Sequence, residues 1–366
     1  ASNVNVGAAV TITESGIEAS GIGITCANIN GTQIGGRRNV IINGAMMASQ
    51  RGTTFNSVAT STVTIDRFRW EQGGSGAVSA WNVTQKSNAA REIGFENSLK
   101  VEVATVDSSL SSGHYSQFKY LIETNDIIRQ SSYGLSTAKK MTLSFYVKSS
   151  VTGTFPLALN DGSGSRSNPH IYTINSADTW ERKTITINGD TGGNWQSQTN
   201  NEAGFGIRWG LAIGSGFFGT ADGNWSADSS YSQLYASYSN SFITTQGATW
   251  ELTGVQLELG STATDFEHKS FSQDLALCQR YFQKIACNQM YMLLIRTSDM
   301  QHRLILNHPV TMRATPTGTI VSSNSDAGPA ITVETVTDST IKFRQGSNSV
   351  AGSAPNISEY TVSAEI

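Results

Sequence analysis

An all-β fold is predicted for this chain, and three observations carry the prediction. Apolar and polar residues alternate with a period of two in many short stretches, as in Trp250, Leu252, Val255, Leu257 and Leu259 with polar residues between them. Period two is the signature of a strand with one face buried. The stretches are separated by turn signals such as Asn188-Gly189-Asp190 and Asp161-Gly162, and the chain carries 35 glycines. Helical spacing is read in one segment, residues 271–284. Many short strands with one terminal helix describe a β-sandwich or jelly roll.

Composition agrees. At 366 residues and 39.2 kDa the chain has room for two or three modest domains. Only 14% of residues are charged, against roughly 25% in globular chains generally. Ser, Thr, Asn and Gly fill the difference. A net charge of −3 and a pI near 6.0 argue against binding a phosphate backbone, which needs a basic face, so no nucleic-acid partner is expected. Cys26, Cys278 and Cys287 are odd in number and far apart or on one helix and its exit. They fit neither a disulfide framework nor a zinc site, and predict free thiols in a reducing cytoplasm. No run of eighteen apolar residues predicts a membrane span. Ala1-Ser-Asn-Val-Asn5 has no basic or apolar signal-peptide region and no initiator Met.

Taken in order, residues 1–38 read as a glycine-punctuated β ribbon. Val10, Ile12, Ile17, Ile22, Ile24 and Ile34 alternate with Thr, Glu, Ser and Asn, while Gly16, Gly21, Gly23 and Gly31 interrupt them. Strands this short cannot bury a face alone and need partners around a common axis. Gly35-Gly-Arg-Arg-Asn39 marks a boundary, and a second domain is expected over 39–285. Its strands are expected at Val63–Trp70, Ala77–Val83, Leu99–Thr105, Tyr115–Ile122, Met141–Lys148, Thr154–Leu159, Ile171–Ile174, Arg182–Ile187, Gly204–Ala212 and Thr249–Leu259. The last closes the sandwich, with its register slipping by one at Thr253-Gly254. Trp70, Trp180, Trp209 and Trp250 fall in strand patterns and belong to the core.

Ser270 and Gln273 read as a capping box, after which Phe271, Leu275, Cys278, Phe282 and Ile285 recur at helical spacing. A second stripe, Leu277 and Tyr281, predicts another neighbour, a second subunit. Ile12, Ile17, Ile22, Ile24, Leu277 and Tyr281 are therefore the candidate oligomer-interface residues. A small all-β domain is expected over 286–366, with strands at Met290–Arg296, His302–Leu306, Thr317–Val321, Ile331–Val336, Ile341–Phe343 and Tyr360–Ala364.

Several motifs stand in a fixed order: Asn39-Val-Ile-Ile-Asn-Gly-Ala45, Ile65-Asp-Arg-Phe-Arg-Trp70, Asn97-Ser-Leu-Lys-Val101, Met141-Thr-Leu-Ser-Phe-Tyr-Val-Lys-Ser149, Asp178-Thr-Trp-Glu-Arg-Lys-Thr-Ile185, and the run from Trp250 through Ala263-Thr-Asp-Phe-Glu-His268 to Leu275-Ala-Leu-Cys-Gln-Arg-Tyr-Phe282. Each is short; together they resemble bacteriophage tail-fibre and related virion appendage proteins of the marine-phage type, which carry a sugar-binding-module-like jelly roll. His308-Pro-Val-Thr-Met-Arg-Ala-Thr-Pro316 resembles the element that follows the helix in the same proteins. The resemblance implies an N-terminal β-shaft, a jelly-roll body and a small C-terminal β domain. It also implies a homotrimer, contact with other virion proteins through the N-terminal segment, host-surface glycan as a partner, and a place in the virion after assembly in the host cytoplasm. A capsid decoration or head fibre is the alternative within this class. A secreted carbohydrate-binding module or polysaccharide hydrolase is the alternative outside it.

Glu251, Glu258, Asp265 and Glu267 are the carboxylates that could serve glycoside hydrolysis. No apolar pocket is evident to raise the pKa of one of them, and they read as a solvated strand edge. Five scattered histidines show no metal-ligand spacing, and no nucleophile–base arrangement appears, so no enzyme is expected. Asn160-Asp-Gly-Ser-Gly-Ser165 and Thr220-Ala-Asp-Gly-Asn224 offer oxygens but lack the ligand count of a calcium loop. The resemblance places a structural Ca2+ near the first and last strands, around Asn43, Gly44 and Glu258; no other cofactor is expected. Trp195, Trp225, Tyr231, Tyr235 and Tyr238 fall in Gly/Ser/Asn-rich connections and are expected to be exposed. Aromatic faces there stack on sugar rings or plug sandwich ends and interfaces. Trp195, Trp225, Tyr231 and Tyr235 are the candidate glycan contacts.

Overall fold

The computed structural model describes residues 38–74, 80–195, 201–220, 223–228, 230–291, 302–325, 329–346 and 355–366. It also describes the backbone of four short N-terminal strands. The fold is nearly all β. Two antiparallel sheets form a jelly-roll sandwich. One has seven strands in the order Ser226–Ala227, Arg166–Ile174, Gly153–Asp161, Ala203–Ile213, Tyr115–Glu123, Arg69–Gly73 and Thr62–Val63. The other has six, in the order Glu181–Ile187, Met141–Ser149, Thr249–Leu259, Phe95–Thr105, Ala80–Ala90 and Thr54–Phe55.

Alternation decides which side chains meet between the sheets. Phe118 and Tyr120 point inward from one strand, Ile207 and Trp209 from its neighbour, and Leu252 and Trp250 from the facing sheet; all are buried. Trp70 and Trp81 meet with ring centroids 5.2 Å apart. Trp70, Trp209 and Trp250 are in the core as expected. Trp180 is not: it is half-buried at a sheet margin, donates its indole N–H to Ala89 O at 3.1 Å, and lies under Lys148.

The Thr249–Leu259 strand runs between Met141–Ser149 and Phe95–Thr105, in the middle of its sheet. The expectation of a half-buried closing strand is corrected, because segments on the outer side cover its second face. Asn39 replaces a strand neighbour there: its side-chain oxygen accepts from Leu257 N at 3.1 Å and its amide donates to Val255 O at 3.1 Å. The register slip stands where the sequence places it. Gly254 has φ +60°, and a Cβ would lie 2.6 Å from the Phe95 ring.

The capping box at Ser270 and Gln273 is present. The helix it opens, Phe271–Gln279, is shorter than the 271–284 expected. A strand, Phe282–Tyr291, begins three residues later and pairs with Asn356–Ser363 in register Ile285↔Tyr360. Phe282 and Ile285 thus serve a strand, and their helical spacing with Cys278 is coincidental. A second helix, Thr124–Ser131, went unread in the sequence; it buries Ile127 and Ile128 against the sandwich core.

Near the C-terminus two three-stranded sheets face each other. Phe282–Tyr291, Asn356–Ser363 and Thr317–Asn324 form one; His302–Asn307, Thr340–Gln345 and Thr332–Val336 form the other. Their own core holds Ile341, Phe343, Ile357, Tyr360 and Val362. In the ribbon, Val10–Thr13 pairs with Gly16–Ala19, placing Ile12 opposite Ile17. Ile22, Ile24, Cys26 and Ile34 lie outside the described residues.

Candidate functional site: a cleft on the outer face of the seven-stranded sheet

Residues that alternate with the core positions of the central strands face outward on the seven-stranded sheet. These are Arg69 and Glu71, then Tyr115, Gln117 and Lys119, then Arg208. The register sets Gln117 opposite Glu71, and Lys119 opposite both Arg69 and Arg208. Over this floor a wall is built by Phe217, Tyr231, Leu234 and Tyr235, and the enclosed cleft measures about 250 Å³. Glycine makes room for the wall. A Cβ on Gly73 would lie 2.6 Å from the Tyr115 hydroxyl, and one on Gly210 would lie 3.1 Å from the Tyr235 ring. The wall is anchored where Ile213 N donates to the Tyr238 hydroxyl at 2.9 Å and where Tyr115 meets Phe217 edge-on at 5.8 Å.

The floor is a connected polar network. The Tyr235 hydroxyl donates to Gln117 Oε1. Gln117 Nε2 donates to Glu71 Oε2 at 3.1 Å, and Lys119 Nζ donates to Glu71 Oε1 at 3.3 Å. Arg69 Nε lies 3.3 Å from Glu71 Oε1 and Arg208 Nη1 lies 3.7 Å from Oε2. Arg208 Nε donates to Asn160 Oδ1 at 2.9 Å, and its guanidinium sits 5.2 Å from the Tyr231 ring centroid. Burial, with Arg208 close by, holds the Lys119 ammonium below its ordinary pKa in spite of Glu71. Such an arrangement can lay an aromatic face and planar polar groups against a small, hydroxyl-rich ligand.

The sequence-predicted contacts divide. Tyr231 and Tyr235 both line this cleft, Tyr231 half-buried and Tyr235 buried. Trp195 and Trp225 lie elsewhere, packed against each other, Tyr133 and Phe205 with centroids 5.0–6.1 Å apart. The exposure expected of Trp195 is corrected. Its indole donates to Asp190 at 2.9 Å, and Asp190 in turn takes both arms of Arg166 at 2.7 Å, so the ring is fully buried. Trp225, half-buried, donates to Asn188 O at 2.8 Å. The exposure expected of Tyr235 is corrected as well, because its ring fills the space above Gly210. Tyr281, expected at a subunit interface, is buried within the chain with its hydroxyl on Glu123 and Arg67 over its ring. Leu277 is half-buried against Ile42, Ala48 and Cys278.

Of the carboxylates read as a solvated edge, Asp265 is exposed as expected and Glu267 is half-buried, but Glu251 and Glu258 are not solvated. Glu251 is buried, accepting from Lys86 at 2.9 Å and Ser98 at 2.8 Å. Glu258 is buried, accepting from Gln256 and Thr264. The calcium region does not fit its ion: Asn43 Oδ1 is held by Ala48 N at 2.8 Å, and both Glu258 oxygens serve protein donors. Asp161 likewise spends its carboxylate on Ser163, Ser165 and the Arg166 N–H, which is ordinary turn chemistry. Residues 221 and 222 of the other candidate loop lie outside the described residues. Among the described residues no cluster of three or more His, Cys, Asp or Glu could hold a metal.

Glu71, Tyr115, Gln117, Lys119 and Arg208 went unread as a site. The signal was available: Arg208 is a lone charge in the apolar run 204–212, and Tyr115, Gln117 and Lys119 are every second residue of a strand.

No family model matches this sequence, and no curated protein matches it. Among solved structures it is similar to the enzymatically active domain of bacteriophage CBA120 tailspike protein 4, at 13% identity and a TM-score of 0.32 over 60% of this chain. The match spans 21% of that protein's length. A structure described as CBM4 matches at 14% identity, with a TM-score of 0.31, over 59% of this chain and 97% of its own. The family 11 carbohydrate-binding module of a Clostridium thermocellum cellulosomal cellulase matches at 11% identity, with a TM-score of 0.27, over 60% of this chain and 100% of its own. Likeness at this level says nothing about what the present chain binds.

Proposed function

We propose that this chain is a structural virion protein of a bacteriophage, a tail fibre or related appendage, that attaches to host-surface glycan without cleaving it. The observation that carries the glycan part is the cleft, where Tyr115, Tyr231 and Tyr235 flank a floor of Gln117, Arg208 and Glu71. Sugar rings present apolar C–H faces to aromatic rings and hydroxyls to planar polar side chains. Glycoside hydrolysis by the usual route needs two carboxylates about 5–10 Å apart. The cleft's lining holds one, Glu71, and it is committed to three cations. The virion part is supported by the order of motifs from Asn39-Val-Ile-Ile-Asn43 to Cys278-Gln-Arg-Tyr281. In this reading the jelly roll is the body, the 286–366 region a small β unit, and residues 1–38 join three chains and connect them to other virion proteins.

Tyr231→Ala, with an unchanged melting temperature, is expected to weaken binding of the purified chain to host cells about three- to tenfold per site, the worth of one aromatic contact. Multivalent display enlarges the loss in adsorption. Unchanged cell binding by this variant rejects the cleft as the contact, and release of reducing ends from host polysaccharide rejects the non-enzymatic reading. Light scattering of the full chain is expected to give a trimer at micromolar concentration. A monomer there rules the trimer out.

A further inference from the structure

Resting on the glycan reading above, we infer that the cleft selects sugars carrying a carboxylate, of the uronic or sialic acid class, over neutral ones. Three cations, Arg69, Lys119 and Arg208, surround a single carboxylate, Glu71. Lys119 and Arg208 line the cleft together with Glu71, a confined space where charges are screened less than on an open surface. Arg208 and Lys119 keep only 8% and 17% of their side-chain surface exposed.

The hydrogen-bonding inventory points the same way. Each of the floor's acceptors already takes a donor: Gln117 Oε1 takes the Tyr235 hydroxyl, and the Glu71 oxygens take Gln117 and Lys119. Its donors are less committed. Lys119 uses one of its three N–H groups on Glu71, and Arg208 spends Nε on Asn160 while Nη1 stands 3.7 Å from Glu71, beyond hydrogen-bonding distance. A neutral sugar needs acceptors as well as donors, whereas a carboxylate needs donors alone. A second negative charge beside Lys119 favours the ammonium and so offsets the burial that depresses its pKa. At about 250 Å³ the space is small beside the roughly 300–1,000 Å³ of drug-sized pockets, which suits one or two rings at a chain end or side branch.

The test uses the full chain with galacturonate, glucuronate and N-acetylneuraminate, each as the free acid and as its methyl ester, followed by ligand-observed NMR titration. The ester keeps the ring and removes the charge. The acids are expected to bind roughly tenfold tighter than their esters, the value of one charge-assisted contact. The preference is expected to fall with added salt and to vanish in Lys119→Gln, with near-UV circular dichroism confirming the fold. Arg69→Gln, beside Glu71 and with 29% of its side-chain surface exposed, is expected to halve the preference or more and keeps the test alive if Lys119→Gln misfolds. Equal affinity for acid and ester, or a preference untouched by both variants, overturns the acidic class and leaves glycan binding standing. Binding of none of the six, nor of neutral hexoses, overturns the glycan reading and this inference with it.

Discussion

Arg67→Ala is expected to destabilise the chain by about 3–5 kcal/mol, the cost of breaking a buried ion pair from one side. The Arg67 guanidinium is almost wholly enclosed, 3.4 Å from the Tyr281 ring centroid, with Nη1 on Glu365 at 2.8 Å and Nη2 donating to Leu121 O at 2.6 Å. Burial disfavours its charge, but Tyr281, Glu365 and Tyr120 outweigh that and hold its pKa above the ordinary arginine value. Its backbone is also in the left-handed region, φ +76°, inside the tight turn between Ile65 and Phe68. One side chain therefore ties a sandwich turn, the helix exit at Tyr281 and the chain end at Glu365. Arg67→Met, which keeps much of the volume and drops the charge, still leaves the Leu121 carbonyl without its donor and Glu365 with Arg51 alone, at 3.1 Å. It is expected to lose nearly as much as alanine. Denaturant unfolding followed by tryptophan fluorescence measures both. A loss under about 1 kcal/mol in both would mean that Glu365 is solvated and that the junction is not held here.

The elements most legible in the sequence were those where a local rule and the tertiary environment agree. The capping box at Ser270 and the bulge at Gly254 are written in two or three residues each, and both stand where the spacing puts them. Most strand positions followed the alternation and several ran longer than expected, but the strand expected at Val63–Trp70 is two strands, Thr62–Val63 and Arg69–Gly73, joined by the tight turn between Ile65 and Phe68. Arg166–Ile174 extends five residues before Ile171, because Asn168 and Pro169 pair across to Leu159 and Ala158 whatever their intrinsic strand preference. Burial on the second face of a strand was not legible. Glu251 and Glu258 look like surface residues, but Lys86 and Ser98 reach Glu251 from distant segments, and the chain turns back so that Thr264 caps Glu258. The helix 124–131 escaped notice because it is only eight residues long and Glu123, its N-cap, makes no side-chain cap, although Thr124-Asn125-Asp126 ahead of Ile127 and Ile128 is a start signal.

For the site, the loop aromatics were a partial guide. Tyr231 and Tyr235 line the cleft, but a Gly/Ser-rich setting does not distinguish a ring that faces solvent from one that a carboxylate draws inside. Asp190 does this to Trp195 from five residues away in sequence, reinforced by Arg166 from across the sheet. The charged floor was hidden for another reason. Glu71, Lys119 and Arg208 are far apart in the chain, and only the antiparallel register of three strands sets them side by side.

Trp250→Ala is expected to cost about 3–5 kcal/mol, the range for removing a large aromatic from a packed interior. The ring lies near the middle of the sandwich, fully buried, stacked near Phe118 at 6.4 Å, on a strand that pairs on both sides. Its indole N–H donates to the Tyr172 hydroxyl at 3.0 Å, and burial pushes that phenol's pKa up. Two effects add in the alanine variant: a cavity between the sheets, and a buried hydroxyl deprived of its donor. Trp250→Phe shifts the balance between them, since it keeps one aromatic ring in the interior and loses the N–H together with the second ring. It is expected to cost about 1–3 kcal/mol, the penalty for leaving a buried polar group without its partner. Denaturant midpoints at unchanged slope give both values. A phenylalanine variant as stable as the parent would show that Tyr172 finds another partner, and an alanine variant within about 1 kcal/mol of the parent would mean that the facing sheet closes over the gap.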